Sequence, residues 1–437
     1  MMATQQMISV EEARERILAN VHRLGPVEQP ILDALGQVLA EDVRAGFDIP
    51  PLDNTAMDGY AVRAADTAGA SEATPVRLRV AGELAAGYVY EGEVAPGTAV
   101  RIMTGAPIPR GADAVVPFEE TDEAVGHRFG SFEKSSNEVG VLKAAEPGAN
   151  IRHAAEDVHQ GAVVVPAGTT IGAGQVGVLA SLGLAAVRVY RRPVVAILST
   201  GDELLDPATG SGRSVGEPVA AGKIYDSNAY SISAMVREAG GVPTRLGIAS
   251  DTVEALTAKI RQGLEADMLI TSAGVSRGDY DVVKDVLAKE GKVDFWTVRM
   301  RPGKPLAFGA FPSGERQVPH IGLPGNPVSS MITFELFGRA ALYKMLGKSG
   351  WERSSVRAIA EERIENTDAR RVYARAILSQ RDPDGRGGRY YAALTGPQGS
   401  GILTSMALAN ALAVVPEDVL AIEPGEEVEC LVLDAQS

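Results

Sequence analysis

The sequence predicts an α/β multidomain protein: a central domain with a mostly parallel sheet, an inserted β-rich module, an N-terminal domain in two pieces and a C-terminal β domain. Three observations carry this. The 437 residues suit three domains or two large ones at about 150 residues each. Residues 194 to 347 alternate continuous Val/Ile/Leu runs with helical patterns, as strands buried on both faces of a parallel sheet do. On both sides of that stretch the pattern turns to short β-type runs broken by turn residues, in a chain with 48 glycines and 25 prolines.

The segment VEEARERILANVHRL near the N-terminus has apolar residues at helical spacing and acids early, which predicts a helix. ILDALGQVLAEDV predicts a second, shorter one. From 49 to 143, runs such as VRLRVAG and TAVRIM between PG, GAP and PRGAD turns read as the separate β-rich module. Beyond 144, a strand VVVP, a helix GQVGVLASLG and a strand AAVRVYR return to mixed helix and strand, so residues 1 to 48 and 144 to 190 are expected to form one interrupted domain. The central domain, 191 to 347, opens with the apolar strand VVAILST. The helix SNAYSISAMVREAGG, strand VPTRLGIA, helix VEALTAKIRQGL, strand DMLITSAG and helix YDVVKDVLAKE follow. Residues 348 to 437, with RRVYARAILSQ, RYYAALT and EEVECLVLD, predict a barrel or a sandwich.

Composition narrows the function. With 45% hydrophobic and 22% charged residues the chain is ordinarily globular. Lys+Arg 42 against Asp+Glu 56 leaves a net charge of −14, a field that repels nucleic acid and anionic membranes, so neither is expected as a partner. The sequence holds no apolar run of 18 residues, and its start lacks a basic segment followed by an apolar core, so a cytoplasmic protein is expected. Residues 1 to 8 are expected to leave no room for a fused upstream domain. One cysteine, Cys430, excludes an internal disulfide framework, and the five scattered histidines lack zinc-finger spacing, so a metal here should be hard and oxygen-bound.

Ligands of open α/β sheets bind outside the carboxyl ends of the strands. Three polar loops fall there: Thr200-Gly201-Asp202-Glu203, Ala273-Gly274-Val275-Ser276-Arg277-Gly278, and Gly322-Leu323-Pro324-Gly325-Asn326-Pro327-Val328-Ser329. Each offers backbone N–H groups suited to a phosphate, although turn-making alone also explains the Gly and Pro. Asp202, Glu203, Asp226, Asp279 and Asp281 lie in or beside these loops. Carboxylates beside phosphate loops repel the ligand unless a divalent cation bridges them, which predicts Mg²⁺. Asp226 at a helix start is equally an N-cap, and the two roles are compatible. Arg299, Arg301 and Lys304 put three cations in six residues of an acidic chain, either an anion site or a solvated edge strand. In the β-rich module, Pro50–Ala61 and Met103–Asp113 combine turn residues with small polar groups, and a structural turn explains either.

Two motifs point elsewhere and fail. Gly172-Ala173-Gly174-Gln175-Val176-Gly177 fits GxGxxG but follows no strand directly and has no acid near 197, so nicotinamide binding is not expected. Ser199, Ser276 and Ser329 have no suitably placed histidine, which disfavours a Ser-His-Asp hydrolase.

Taken in order, PPLDNTAMDGYA, TGAPIPRGAD, STGDEL, DSN, SAGVSRGDYD, MRPGKP and GLPGNPVS resemble the MoeA family, molybdopterin molybdenumtransferases similar to the gephyrin E domain. The resemblance runs from about residue 9 to the end, including QGSGILTSMALANAL. It implies insertion of molybdate into adenylylated molybdopterin with release of AMP, dependent on Mg²⁺, in molybdenum cofactor biosynthesis. It implies four domains: an elongated dimerising one (1–48 plus 144–190), the insert (49–143), a molybdopterin-binding-like α/β domain (191–347) and a C-terminal β-barrel (348–437). It also implies a homodimer whose site is shared between subunits.

Carried over by motif, Asp58, Thr104, Glu203, Asp226, Asp281 and Lys304 resemble the catalytic set, with Glu203, Asp226 and Asp281 as metal ligands. Gly201, Gly274, Ser276, Arg301, Gly325, Asn326, Ser329, Arg370 and Ser400 resemble binding positions. The chain departs from the family at Thr55, where Ser is usual, at Ala273, where a second Gly is frequent, and at Arg301, where many members have Lys. Arg binds oxyanions as a fork rather than a point charge. Two other functions are compatible with this fold: a molybdopterin adenylyltransferase, which would consume ATP, and a non-enzymatic gephyrin-like scaffold.

Overall fold

The computed structural model describes residues 7–123, 137–208, 219–250, 252–273, 291–382 and 388–433, together with Val286 and Lys289. The chain forms two compact units: one of residues 1–40, 168–173 and 186–437, the other of 41–167 and 174–185.

In the larger unit the helix Val10–Ala19 begins where Ser9 Oγ accepts the Glu12 N–H (3.0 Å), with Glu11 and Glu12 in its first turn and Arg16 in its last. Val10, Ala13 and Ile17 bury its apolar stripe. The predicted helix at ILDALGQVLAEDV does not form; Ile31–Gly36 is a run of turns. The Ala34 N–H closes one i−4 ring onto the Pro30 carbonyl, but several of the donors that follow leave for other segments: Gly36 N–H to the Ile171 carbonyl, Leu39 to Thr169 and Ala40 to Arg188. Gly36, at φ +78°, turns the chain out of the helical region.

The central sheet runs Val242–Ala249, Val194–Thr200, Met268–Ser272, Arg316–Leu323, Pro305–Ser313, Lys292–Thr297. The first three pairings are parallel and the last two antiparallel. The reading of a parallel sheet thus needs correction at one edge. Residues 305 to 323 fold back through the two-residue turn Gly314-Glu315, too short for the crossover that a parallel pair requires. Alternation within Val194–Thr200 decides its packing. Val195 and Ile197 face the helix Ser227–Glu238 through Ala229, Ile232 and Val236, whereas Ala196 and Leu198 face the helix Val253–Gly263 through Leu256 and Ile260. Both faces are therefore covered.

Pro327–Met345 is one helical run in which Phe334–Gly338 widens to a π turn. The Phe334 ring lies where a Cβ on Gly338 would sit, at 2.5 Å. Glu335 of this turn is buried, accepting from Arg339 Nε (2.6 Å), Arg353 Nε (2.7 Å) and Arg353 Nη2 (3.1 Å).

The C-terminal strands close as a ring, Arg371–Arg381, Arg389–Leu394, Ser355–Ala360, Glu427–Val432, Ala411–Val415 and back to Arg371–Arg381. Between barrel and sandwich, the barrel is realised. Its narrow interior is filled mainly by alanines, Ala358, Ala360, Ala374, Ala376, Ala392, Ala411 and Ala413, with Cys430 among them. Met300–Arg301 adds to this ring by pairing in parallel with Arg371–Val372.

The smaller unit holds a sheet ordered Ala114–Pro117, Gly59–Val62, Thr98–Ile102, Val76–Leu84, Glu138–Val141. Tyr60, Val62, Leu78, Ala99, Val116 and Val139 form its core.

Candidate functional site

Strands Val194–Thr200, Met268–Ser272 and Arg316–Leu323 deliver their loops to the same edge of the sheet, as the topology rule requires. Gly201 leaves the first at φ +138°, and the Glu203 carboxylate folds so close that a Cβ on Gly201 would lie 2.4 Å from Oε2. The carboxylate could swing aside, but the backbone conformation itself favours glycine. Ala273 leaves the second strand at φ +76°, a left-handed conformation that costs a non-glycine residue on the order of 1 kcal/mol. Gly325 belongs to the third loop, and a Cβ on it would stand 3.4 Å from that of Ala273.

The Asp202-Glu203 turn is joined to the segment before Asp226. Leu204–Leu205 pairs in parallel with Ile224–Tyr225, the Ile224 N–H donates to the Glu203 carbonyl, and Lys223 Nζ donates to the Asp202 carbonyl. Asp226 is buried and caps the helix Ser227–Glu238, its Oδ1 accepting the Ala229 N–H at 3.0 Å. The capping role is therefore present, and it leaves the second carboxylate oxygen for other work. Glu203 and Asp226 supply only carboxylate oxygens, a donor set suited to a hard divalent cation. Among the described residues, no group of three or more His, Cys, Asp or Glu side chains is arranged to hold a metal. Asp281, the third expected ligand, lies outside the described residues, as do Gly274, Ser276 and Asp279.

The expected cation cluster is real but differently composed. Arg301 Nη1 donates to Thr367 Oγ1 (3.0 Å), and Arg370 donates to Asp368 and to the Met300 carbonyl (3.3 Å). The hydrogen bond from Arg370 holds the Asp368 carboxyl below the usual carboxylate range, with the charges of Arg370, Arg301 and Lys304 adding to it. Arg301, Lys304 and Arg370 thus all lie within electrostatic reach of Asp368. Arg299 is exposed and is not among the charges acting on Asp368. Gly303 makes the turn between Arg301 and Lys304 at φ +97°, and a Cβ on it would meet Thr333 Oγ1 at 2.6 Å.

Ser400 and Ser329 are neighbours through backbone, since the Val328 N–H donates to the Ser400 carbonyl (3.1 Å). Asn326 stands at the helix start with Pro327 at the first helical position. The loop before Ser400 is held from below by Arg375, which sequence reasoning missed. This guanidinium is 1% exposed and donates to Ser405 Oγ and to the carbonyls of Pro397, Gln398 and Gly399. An arginine inside the apolar run Val372–Ala376 was the available signal.

In the smaller unit, Asp58 Oδ1 accepts from the Thr104 N–H (2.6 Å) and Thr104 Oγ1 (2.7 Å). These two bonds hold the Asp58 carboxyl below its ordinary range. Thr55 laces the same loops: Oγ1 donates to the Met57 carbonyl and its own carbonyl accepts from Gly105.

Comparison with known proteins identifies the family. Residues 8–183 match the model described as MoeA N-terminal region (domain I and II), 196–344 the probable molybdopterin binding domain, and 357–433 the MoeA C-terminal region (domain IV). Molybdopterin molybdenumtransferase 2 of Mycobacterium tuberculosis is 37% identical over 97% of this chain and 99% of its own. Molybdopterin molybdenumtransferase of Bacillus subtilis is 35% identical, covering 99% and 96%. The solved molybdopterin biosynthesis MoeA protein of Pyrococcus horikoshii aligns with a TM-score of 0.78 at 32% identity, over 98% of this chain and all of that one. With its three segments matched in order and its relatives covered end to end, the chain belongs to the MoeA family.

Proposed function

We propose that the chain is a molybdopterin molybdenumtransferase that inserts molybdate into adenylylated molybdopterin and releases AMP, in the cytoplasm and as a homodimer. The observation that supports this most is the cationic neighbourhood of Arg301, Lys304 and Arg370, set in an otherwise acidic chain. Molybdate is a doubly charged oxyanion, and the adenylylated pterin carries a pyrophosphate link, so both substrates need fixed positive charge. Arg301 offers a fork of N–H donors and Lys304 a mobile ammonium, which suits two anions of different shape. The backbone at Gly201, Gly325, Asn326 and Ser329 serves the phosphates, together with Gly274 and Ser276. Ser400 adds a hydroxyl beside the oxyanion.

Mg²⁺ fits the carboxylates Glu203 and Asp226, joined by Asp281; when bound it would neutralise charge on the departing phosphate. The remaining work falls to the protein's own groups, which bring two anions together and hold them in line. No side-chain nucleophile is needed, because the substrate's sulfurs receive the molybdenum. Asp58, held ionised by Thr104, is assigned to the shared site of the dimer.

The test is AMP release from adenylylated molybdopterin with and without molybdate. Release only with molybdate supports the proposal; ATP consumption would favour an adenylyltransferase, and undiminished turnover by Glu203→Gln or Asp281→Asn would favour a scaffold. Mixing Asp58→Ala with Asp281→Ala protein should restore activity through hybrid dimers, and no recovery despite subunit exchange would reject the shared site.

A further inference from the structure

We propose that Asn228 is a positioning residue that sets the orientation of the Gly325–Asn326 peptide, so that the Asn326 N–H is presented to an anionic substrate. The substrate in this statement rests on the function proposed above; the orientation does not.

Asn228 is the second residue of the helix Ser227–Glu238 and is 8% exposed. Its Nδ2 donates to Ser272 Oγ at 2.7 Å and to the Gly325 carbonyl at 2.8 Å. A carbonyl cannot donate, so the amide can face Gly325 only with its nitrogen. The oxygen Oδ1 is then left buried with no partner among the described residues. A helix-start residue needed only for packing would not keep an orphan acceptor, because buried polar groups are ordinarily satisfied. Asparagine supplies two N–H groups from one atom on a short stem, and here both are used, one on each of two site loops.

The consequence follows from peptide geometry. In a planar trans peptide the C=O and N–H point in opposite directions, so drawing the Gly325 oxygen towards Asn228 turns the Asn326 N–H away from it. The Asn326 N–H has no acceptor among the described residues. It lies at the start of the helical run Pro327–Met345, two residues from Val328, whose N–H holds the Ser400 carbonyl. Rotation of the 325–326 peptide would replace this donor by a carbonyl and repel an anion.

Asn228→Asp separates this role from packing. The carboxylate is isosteric and can still accept from Ser272 Oγ, but it repels the Gly325 carbonyl. A crystal structure of the unliganded Asn228→Asp protein should show the 325–326 peptide rotated, and an unchanged peptide would overturn the proposal. In the AMP-release assay its KM for adenylylated molybdopterin should rise about tenfold or more, with a smaller fall in kcat. Ser272→Ala, which leaves the Gly325 bond in place, should raise KM less. A wild-type KM in Asn228→Asp, or an equal rise in Ser272→Ala, would reject the positioning role. If wild-type protein does not turn over this substrate, the proposed function fails, while the crystallographic result still decides the orientation.

Discussion

Replacing Glu335 by alanine should destabilise the larger unit by about 3–4 kcal/mol. Glu335 is buried and accepts three charge-assisted bonds, at 2.6, 2.7 and 3.1 Å, from Arg339 and Arg353. Removing one member of a buried ionic group costs roughly 3–5 kcal/mol, because the opposite charge is stranded. The two arginines are stranded unequally. The Arg339 side chain is 9% exposed and would keep its bond to the Trp351 carbonyl and its place over the Tyr343 ring, whereas Arg353, at 30%, can regain water. That asymmetry places the value near the lower end of the range. Glu335→Gln keeps an acceptor and should cost about 1–2 kcal/mol. The double variant Glu335→Ala/Arg339→Met should recover part of the loss, since it removes the more deeply buried of the two stranded charges. Urea unfolding followed through Trp351, in a Trp296→Phe background, measures all three. A loss below about 1 kcal/mol for Glu335→Ala, or no recovery in the double variant, would refute the assignment of these charges as mutually dependent.

Two further outcomes follow from site geometry. Thr104→Val should raise the Asp58 pKa towards the ordinary carboxylate value, because it removes the hydroxyl bond while sparing the backbone one; an NMR titration of the Asp58 carboxyl checks it. Since the folded-state value is depressed, the stability from this pair is present above the unfolded pKa and fades as pH falls through the folded one; Thr104→Val should therefore lose less stability on acidification. Gly303→Ala should lower molybdate affinity at least tenfold by equilibrium dialysis, because its Cβ would meet Thr333 Oγ1 at 2.6 Å in a backbone conformation hostile to L-residues, so the Lys304 turn must move.

Much of the fold was legible because burial writes itself as periodicity. Residues 194–198 and 268–270 are apolar runs that end in the polar pairs Ser199-Thr200 and Thr271-Ser272, and the two helices flanking them carry stripes matched to opposite faces. Residues 31 to 36 misled because their apolar spacing does not mark a buried face, with Ala34 buried but Leu32 and Leu35 exposed, and because the competing backbone partners, Thr169, Ile171 and Arg188, are over a hundred residues away. Loop placement was equally visible: Gly201, Glu203 and Asp226 sit beside the strand ends, as predicted. The recruitment of Asp368 and Thr367 by Arg370 and Arg301 was not, since it depends on the pairing of Met300–Arg301 with Arg371–Val372. Arg375 escaped for a related reason: its carbonyl partners are displayed by loop shape, to which side-chain identity at 397 to 399 is indifferent.

That two-residue pairing also bears on how the protein can be dissected. A fragment cut after the central sheet, at the apparent boundary near 348, would leave behind the short strand lying along Arg371–Val372. The freed backbone groups there would form a naked rim, ready to capture a neighbouring copy. An independently expressed C-terminal module should thus self-associate unless it carries a surrogate for residues 299 to 301, and a split-protein design would succeed only with the break placed upstream of them.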